Sequence, residues 1–194
     1  MTTPDVPLRI ELVYELPGTA EQVWDAIATA RGISAWFLPT EVDEREGGAV
    51  LFHMGEDDSP GTITGWEPPG RFAYVEPDWA DLTKKDTGPV TPLATEFLVE
   101  AQSGGTCVVR VVSSAFGTGE DWEQEFFDEM EKGWKPFFEH LRVYLTYFPG
   151  QAATSLAAEA DVPGDLFSDG AAAYVEREQP GWTAWLEGLA AGTN

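Results

Sequence analysis

Between residues 121 and 148, large apolar side chains recur every three or four positions: Phe127, Met130, Trp134, Phe137, Phe138, Leu141, Leu145 and Phe148. That period marks one amphipathic helix. At about 1.5 Å per residue it would run for about 40 Å. A stripe this wide and this aromatic cannot stay in water, so the rest of the chain must supply a broad apolar surface to cover it. Pro136 removes one backbone hydrogen bond from the helix interior, and a kink is expected near Lys132 or Gly133.

The surface that could cover it is a sheet. Residues 8–16 alternate, with Leu8, Ile10, Leu12, Tyr14 and Leu16 on one face and Arg9, Glu11 and Glu15 on the other, as in a half-buried strand. Pro17-Gly18 ends it. Thr19-Ala20-Glu21-Gln22 then has the form of a capping box, and the helix it opens should bury Val23, Trp24 and Ile27. Residues 31–39 predict a second short helix closed by Pro39. Strand-like pieces follow at 40–45, 48–54, 61–67 and 71–76, with turns expected at Gly47-Gly48, Ser59-Pro60-Gly61 and Pro68-Pro69-Gly70. Residues 77–93, polar and containing Lys84-Lys85, predict a long loop. Residues 94–102 and 106–116 predict a hairpin around Ser103-Gly104-Gly105, with Cys107, Val109 and Val111 on one face. Strands that follow one another without helices between them pair antiparallel. The fold class is therefore α+β: a curved antiparallel β-sheet wrapped around a long C-terminal α-helix, with two short helices after the first strand.

The domain is expected to span 1–148. Beyond Pro149, Ala and Gly dominate until Trp182, Trp185, Leu186 and Leu189, whose spacing predicts a short amphipathic helix near 180–190 in a 149–194 extension. That helix needs a surface to dock on, either in cis or on a second copy in a homodimer.

Composition narrows the function classes. Hydrophobic residues make up 43% of the 194, with eight Trp and eleven Phe, enough for a large core, a ligand cavity, or both. Acidic residues number 34 against 11 basic, a net charge of −23, which repels nucleic acid and anionic membranes. Cys107 is the single cysteine, so no disulfide within the chain and no cysteine metal cluster can form. The first residues lack the basic and apolar regions of a signal peptide, and no apolar run reaches membrane-spanning length, so the cytoplasm is the default location and no membrane insertion is expected. A phosphate-binding glycine loop is absent and no cofactor is expected.

Several segments together resemble a known family: Thr19-Ala20-Glu21-Gln22-Val23-Trp24-Asp25-Ala26-Ile27, Trp36-Phe37, Gly47-Gly48, and Gly61-Thr62-Ile63 leading to Glu67-Pro68-Pro69-Gly70-Arg71-Phe72. Thr106 with its strand and Gly133-Trp134 continue the pattern. Over about residues 8–147 the chain resembles the heat-shock-protein-90 ATPase activator homologue family of the SRPBCC, or START-like, superfamily. The resemblance implies a helix-grip fold with a cavity between sheet and long helix. It does not imply one activity, because the superfamily includes lipid carriers, metabolite binders, polyketide cyclases and stress proteins. The family takes its name from a eukaryotic co-chaperone in which this domain is one part.

The candidate cavity residues are Trp24, Trp36, Phe52, Met54, Trp66, Tyr74, Phe97, Met130, Trp134 and Phe137. Trp24, Trp36 and Trp134 need no ligand to be explained as core packing, and that reading is compatible with their lining a cavity, since apolar pockets are built from the same residue types. His53 and His140 have no partner at ligand spacing and are expected to be structural. The acidic clusters Glu41, Asp43, Glu44, Glu46 and Glu56, Asp57, Asp58 lack the spacing of a calcium loop, so no metal is expected. The leading expectation is a binding protein for a small apolar ligand such as a lipid or polyketide, with access near the 77–93 loop. The alternatives are a cyclase- or hydrolase-type enzyme using the same cavity and a chaperone-associated interaction module. A buried ionisable residue in the pocket would favour the enzyme, and a large exposed apolar patch would favour the module.

Overall fold

The computed structural model describes residues 6–54, 58–83 and 90–153. In chain order these form β1 (Val6–Pro17), α1 (Ala20–Ala28), α2 (Ala30–Trp36), β2 (Thr40–Val42), β3 (Ala49–His53), β4 (Asp58–Glu67), β5 (Arg71–Glu76), a 3-10 turn (Trp79–Thr83), β6 (Leu93–Ala101), β7 (Thr106–Gly117) and α3 (Asp121–Tyr147). The seven strands make one antiparallel sheet in the order β1-β7-β6-β5-β4-β3-β2. The first and second strands lie at opposite edges, and α1 and α2 carry the chain between them.

Local chemistry sets the helix starts. At α1 the predicted capping box forms: Gln22 N–H donates to Thr19 Oγ1 at 3.3 Å and Thr19 N–H donates to Gln22 Oε1 at 2.9 Å. Thr29 caps α2 through Gly32 N–H at 3.0 Å. Gly32 sits so close to α1 that a Cβ there would collide with the Asp25 carbonyl oxygen. Trp36 fastens the pair, its indole N–H donating to Ala26 O at 2.9 Å.

The concave face carries the expected residues. Leu8, Ile10 and Leu16 of β1 and Cys107, Val109 and Val111 of β7 are buried. Tyr14 is half-buried and stacks on Phe138 with centroids 3.9 Å apart. From α3 come Phe127, Trp134, Phe138, Leu141 and Leu145, all buried. The helix runs uninterrupted past Pro136. Phe148 departs from the predicted stripe: it caps the helix and is 50% exposed.

Four other expectations are corrected. Ser59-Pro60-Gly61 is not a turn but lies within β4, where Val50 pairs with Gly61 and Leu51 with Pro60. Glycine is needed there for close approach, since a Cβ would press on Val50 Cγ1 and Val75 O, each at 2.9 Å. The strand predicted at 40–45 is only Thr40–Val42 long, and the second helix ends at Trp36 rather than Pro39. The 77–93 segment is not simply a polar loop. Its single tryptophan, Trp79, is 1% exposed, donates its indole N–H to Thr91 O at 2.9 Å, and packs on Phe126 and Phe127 with centroids 4.9 and 5.8 Å away. The helix expected at 180–190 lies outside the described residues.

The start of α3 is organised by a buried carboxylate. Glu123, 1% exposed, accepts from Thr118 N–H at 2.8 Å, Thr118 Oγ1 at 3.1 Å, Gly119 N–H at 2.8 Å and Glu120 N–H at 3.1 Å. Backbone N–H groups at a helix start have no intrahelical acceptor, and this side chain supplies one. A Cβ at Gly117 would overlap the carboxylate. Glu123→Ala should therefore cost about 2–4 kcal/mol in urea unfolding, because it strands several buried donors at once. A loss under about 1 kcal/mol would show that water replaces the carboxylate without penalty.

Candidate functional site

The stripe on α3 does not fill the concave face completely. At its middle the helix presents Met130, Gly133, Trp134 and Phe137, and a Cβ built on Gly133 would meet nothing within 4 Å. Opposite it, β6 contributes Thr95, which is shorter than its apolar neighbours Leu93 and Phe97. The space left between helix and sheet is a cavity of about 190 Å³. Phe37 and Leu38 wall it after α2, Phe52 and Met54 at and after β3, Tyr74 and Glu76 on β5, Trp79 and Leu82 on the 3-10 turn, Leu93 and Thr95 on β6, and Phe126 on α3. Trp79, Leu82 and Leu93 bring the 77–93 segment into the wall.

The structure sorts the predicted residues. Phe52, Met54, Tyr74, Met130, Trp134 and Phe137 line the cavity. Trp36 and Phe97 lie deeper, around a void of about 10 Å³ that Phe52, Tyr74 and Trp134 also border. That void is at the lower limit for holding one water. Trp24 and Trp66 line neither space. They pack edge-to-face on each other at 5.1 Å and both lean on Phe72, at 6.5 and 5.8 Å. Phe37, Glu76, Trp79, Thr95 and Gly133 also line the cavity and were not among the candidate cavity residues. Glu76 was within reach of strand alternation, because Phe72, Tyr74 and Glu76 are every second residue of β5. An acidic residue at a strand end reads as solvated until the neighbouring elements are placed.

The wall is aromatic and thioether-rich, with a small polar set. Tyr74, Thr95 and Ser113 lie in register across β5, β6 and β7. The Thr95 and Ser113 hydroxyls are 3.1 Å apart and buried. Burial pushes the Tyr74 phenol well above its ordinary range, and the Glu76 carboxylate adds to this while the Thr95 hydroxyl offsets part of it. Glu76 accepts a hydrogen bond from Ser59 Oγ at 2.5 Å. Burial raises its carboxyl above the ordinary value, and the Ser59 hydroxyl only partly counters that. The indole N–H of Trp134 is buried without a partner, the one such side-chain nitrogen or oxygen among the described residues.

The histidines lie apart from this space. His53 bridges strands on the surface, Nδ1 3.0 Å from Asp58 Oδ1 and Nε2 3.3 Å from Glu41 Oε1, and Asp58 chiefly raises its pKa. His140 is exposed beside Phe137. Among the described residues no group of three His, Cys, Asp or Glu side chains is placed to hold a metal ion, and no helix is long and apolar enough to cross a membrane.

Comparison with known proteins places this geometry in context. The family model described as "Activator of Hsp90 ATPase homolog 1-like protein" matches residues 17–146. Protein MLL2253 of Mesorhizobium loti is similar in structure, with a TM-score of 0.61 and 14% identity over 73% of this chain and 98% of that one. The Aha1 dimer of Colwellia psychrerythraea aligns with a TM-score of 0.59 and 15% identity over 74% and 99% of the two chains. CalU16 of Micromonospora echinospora aligns with a TM-score of 0.54 and 18% identity over 72% and 76%. At these identities the likeness shows a shared helix-grip fold. No curated protein matches the chain in sequence.

Glu76 makes the wall pH-sensitive. Burial favours its neutral form in the folded chain, so its ionisation opposes folding. That opposition is absent below the unfolded value near 4.5 and complete above the raised folded value. Glu76→Gln stays neutral and can still accept the Ser59 hydroxyl. Its Tm relative to wild type should be highest near about pH 8 and should converge on wild type toward about pH 4.5. A difference that is flat across this range, or that grows on acidification, would contradict the assignment.

Proposed function

Because the chain belongs to the family of activator of Hsp90 ATPase homolog 1-like proteins, we propose that it uses the helix-grip cavity as a binding site for a small, mainly apolar molecule. The observation that carries this reading is the cavity itself, about 190 Å³ walled by aromatic rings and two methionines. Protein interiors are close-packed, and apolar walls left without a neighbour forfeit dispersion contacts. A dry apolar cavity of about 150 Å³ can hold a benzene ring. The space here suits a ring-sized ligand, or one segment of a longer one, more than a whole phospholipid. Transfer of such a ligand's apolar surface out of water supplies the driving force, about 25 cal/mol per Å² buried.

A second reading has its own support. Tyr74 and Glu76 are two acid–base groups on one wall, both raised by burial, and a raised carboxyl in an apolar pocket is how general acids are tuned. A cyclase- or hydrolase-type activity would use Glu76 to move a proton and Tyr74 to hold an oxygen. Under that reading, Glu76→Gln and Tyr74→Phe would abolish turnover while leaving binding intact.

Naphthalene tests the binding reading, with occupancy read from saturation-transfer NMR. Wild type should bind it saturably at one site. Gly133→Leu should fill the space from the helix side and weaken binding at least about tenfold, without lowering Tm, since leucine is the better helix former and has room. Absence of saturable binding to wild type, or equal binding to Gly133→Leu, would overturn the proposal.

A further inference from the structure

The aromatic wall and the Glu76 carboxyl meet at one end of the cavity. The rings form a connected row: Phe37 lies 4.5 Å from Phe137, 5.7 Å from Trp134 and 6.0 Å from Phe52, and Phe52 lies 5.3 Å from Tyr74, centroid to centroid. Glu76 stands at the Phe52–Tyr74 end of that row. It follows Tyr74 on the same face of β5, and Leu93, opposite it on β6, is buried in the same wall. Ser59, whose Oγ donates to Glu76 Oε1 at 2.5 Å, lies opposite Phe52 across β3 and β4. Directly opposed residues share a face of the sheet, so these neighbours on β4 and β6 set Glu76 on the concave side.

Two oxygens give a carboxylate about four acceptor positions, and the Ser59 hydroxyl occupies one of them. A carboxylate held among rings and aliphatic side chains gives up hydration, and a counter-charge offsets that cost. An ammonium group supplies one, and its N–H donors reach the carboxylate in charge-assisted hydrogen bonds. The rings favour the same group, since aromatic faces are electron-rich and attract a cation within about 6 Å of their centroids. A net charge of −23 draws cations toward the molecule before they reach the cavity. Apolar wall, carboxyl and overall field therefore select for one kind of molecule.

Resting on the binding reading above, we infer that the ligand is a hydrophobic amine: a ring-sized apolar body carrying one protonated nitrogen, with the nitrogen on Glu76 and the body among Phe37, Phe52, Trp134 and Phe137. Transfer of the ring out of water supplies most of the affinity, and the ammonium–carboxylate pair sets orientation and choice. Glu76 is the specificity determinant, since a neutral isostere fills the same space without answering its charge.

Three probes of one shape test this: naphthalene, 1-naphthalenemethanol and 1-naphthylmethylamine, the last an ammonium at neutral pH, each titrated into the full chain. On wild type, the amine should bind saturably at one site and at least about tenfold more tightly than the alcohol, the factor expected from adding a charge-assisted pair inside an apolar site. Glu76→Gln keeps the size of the side chain and an acceptor for Ser59, and should bring the amine and the alcohol to nearly equal affinity. The carboxyl carbon resonance of Glu76 in wild type gives a second readout: it should move with the amine and much less with the alcohol. Gly133→Leu should weaken the amine along with naphthalene, which places the amine in the cavity rather than on the acidic surface. Equal binding of amine and alcohol to wild type, an amine advantage that survives Glu76→Gln, an unmoved Glu76 resonance, or amine binding untouched by Gly133→Leu would overturn the inference and leave the binding reading standing. Failure of naphthalene itself to bind would overturn both.

Discussion

The contact between the aromatic stripe of α3 and the concave face of the sheet is the interaction on which the rest of the structure depends. Neither surface is stable alone, because each presents a row of large apolar side chains. Tyr14 stacked on Phe138, Phe97 against Trp134, and Leu141 and Leu145 beside α1 and β1 form the continuous core. Phe127 closes a second cluster with Leu8, Ile10, Trp79 and Leu93. The devices that start and place α3 serve this contact. Glu123 gathers the donors of the preceding turn, and Arg142 reaches across to Glu15 O at 2.8 Å.

Much of this was legible in the sequence because the signals were local. The Thr19 capping box, the alternation of β1 and the period of α3 each depend on residues within a few positions of one another, and each formed as read except at Phe148, past the end of α3. What sequence could not convey came from distant neighbours. Gly61 reads as a turn residue, yet it is glycine because Val50 and Val75 crowd it from both adjacent strands. Trp79 sits in a polar stretch, and only the arrival of Phe126 and Phe127 makes its burial intelligible. The candidate site divides the same way. Trp134, Met130 and Phe137 follow from the helical stripe. The gap they border follows from Gly133, whose missing side chain carries no signal in a single sequence.

Charge and cavity are complementary. Three of the basic residues lie on the strands, where Arg9 and Arg110 pair with Glu11, at 2.8 and 2.6 Å, and Arg71 lies 2.7 Å from Glu96. The guanidiniums of Arg110 and Arg9 hold the Glu11 carboxyl at about 2. No basic side chain among the described residues faces inward to line the cavity. Among the described residues that line the cavity, Glu76 supplies the one charged group, in a wall that is otherwise mainly aromatic and apolar. The same arrangement gives the enzymatic reading its acid–base pair, so binding and catalysis differ here in what Glu76 and Tyr74 do after the ligand arrives.

The account stands on the space between α3 and the sheet being a persistent, dry cavity rather than a packing gap that side chains close. A crystal of the protein pressurised with xenon tests this most directly, since xenon enters empty apolar cavities and needs no chemical match. The account predicts xenon density bounded by Phe37, Tyr74, Gly133 and Trp134. A structure in which those side chains have closed together, with no xenon between helix and sheet, would contradict it.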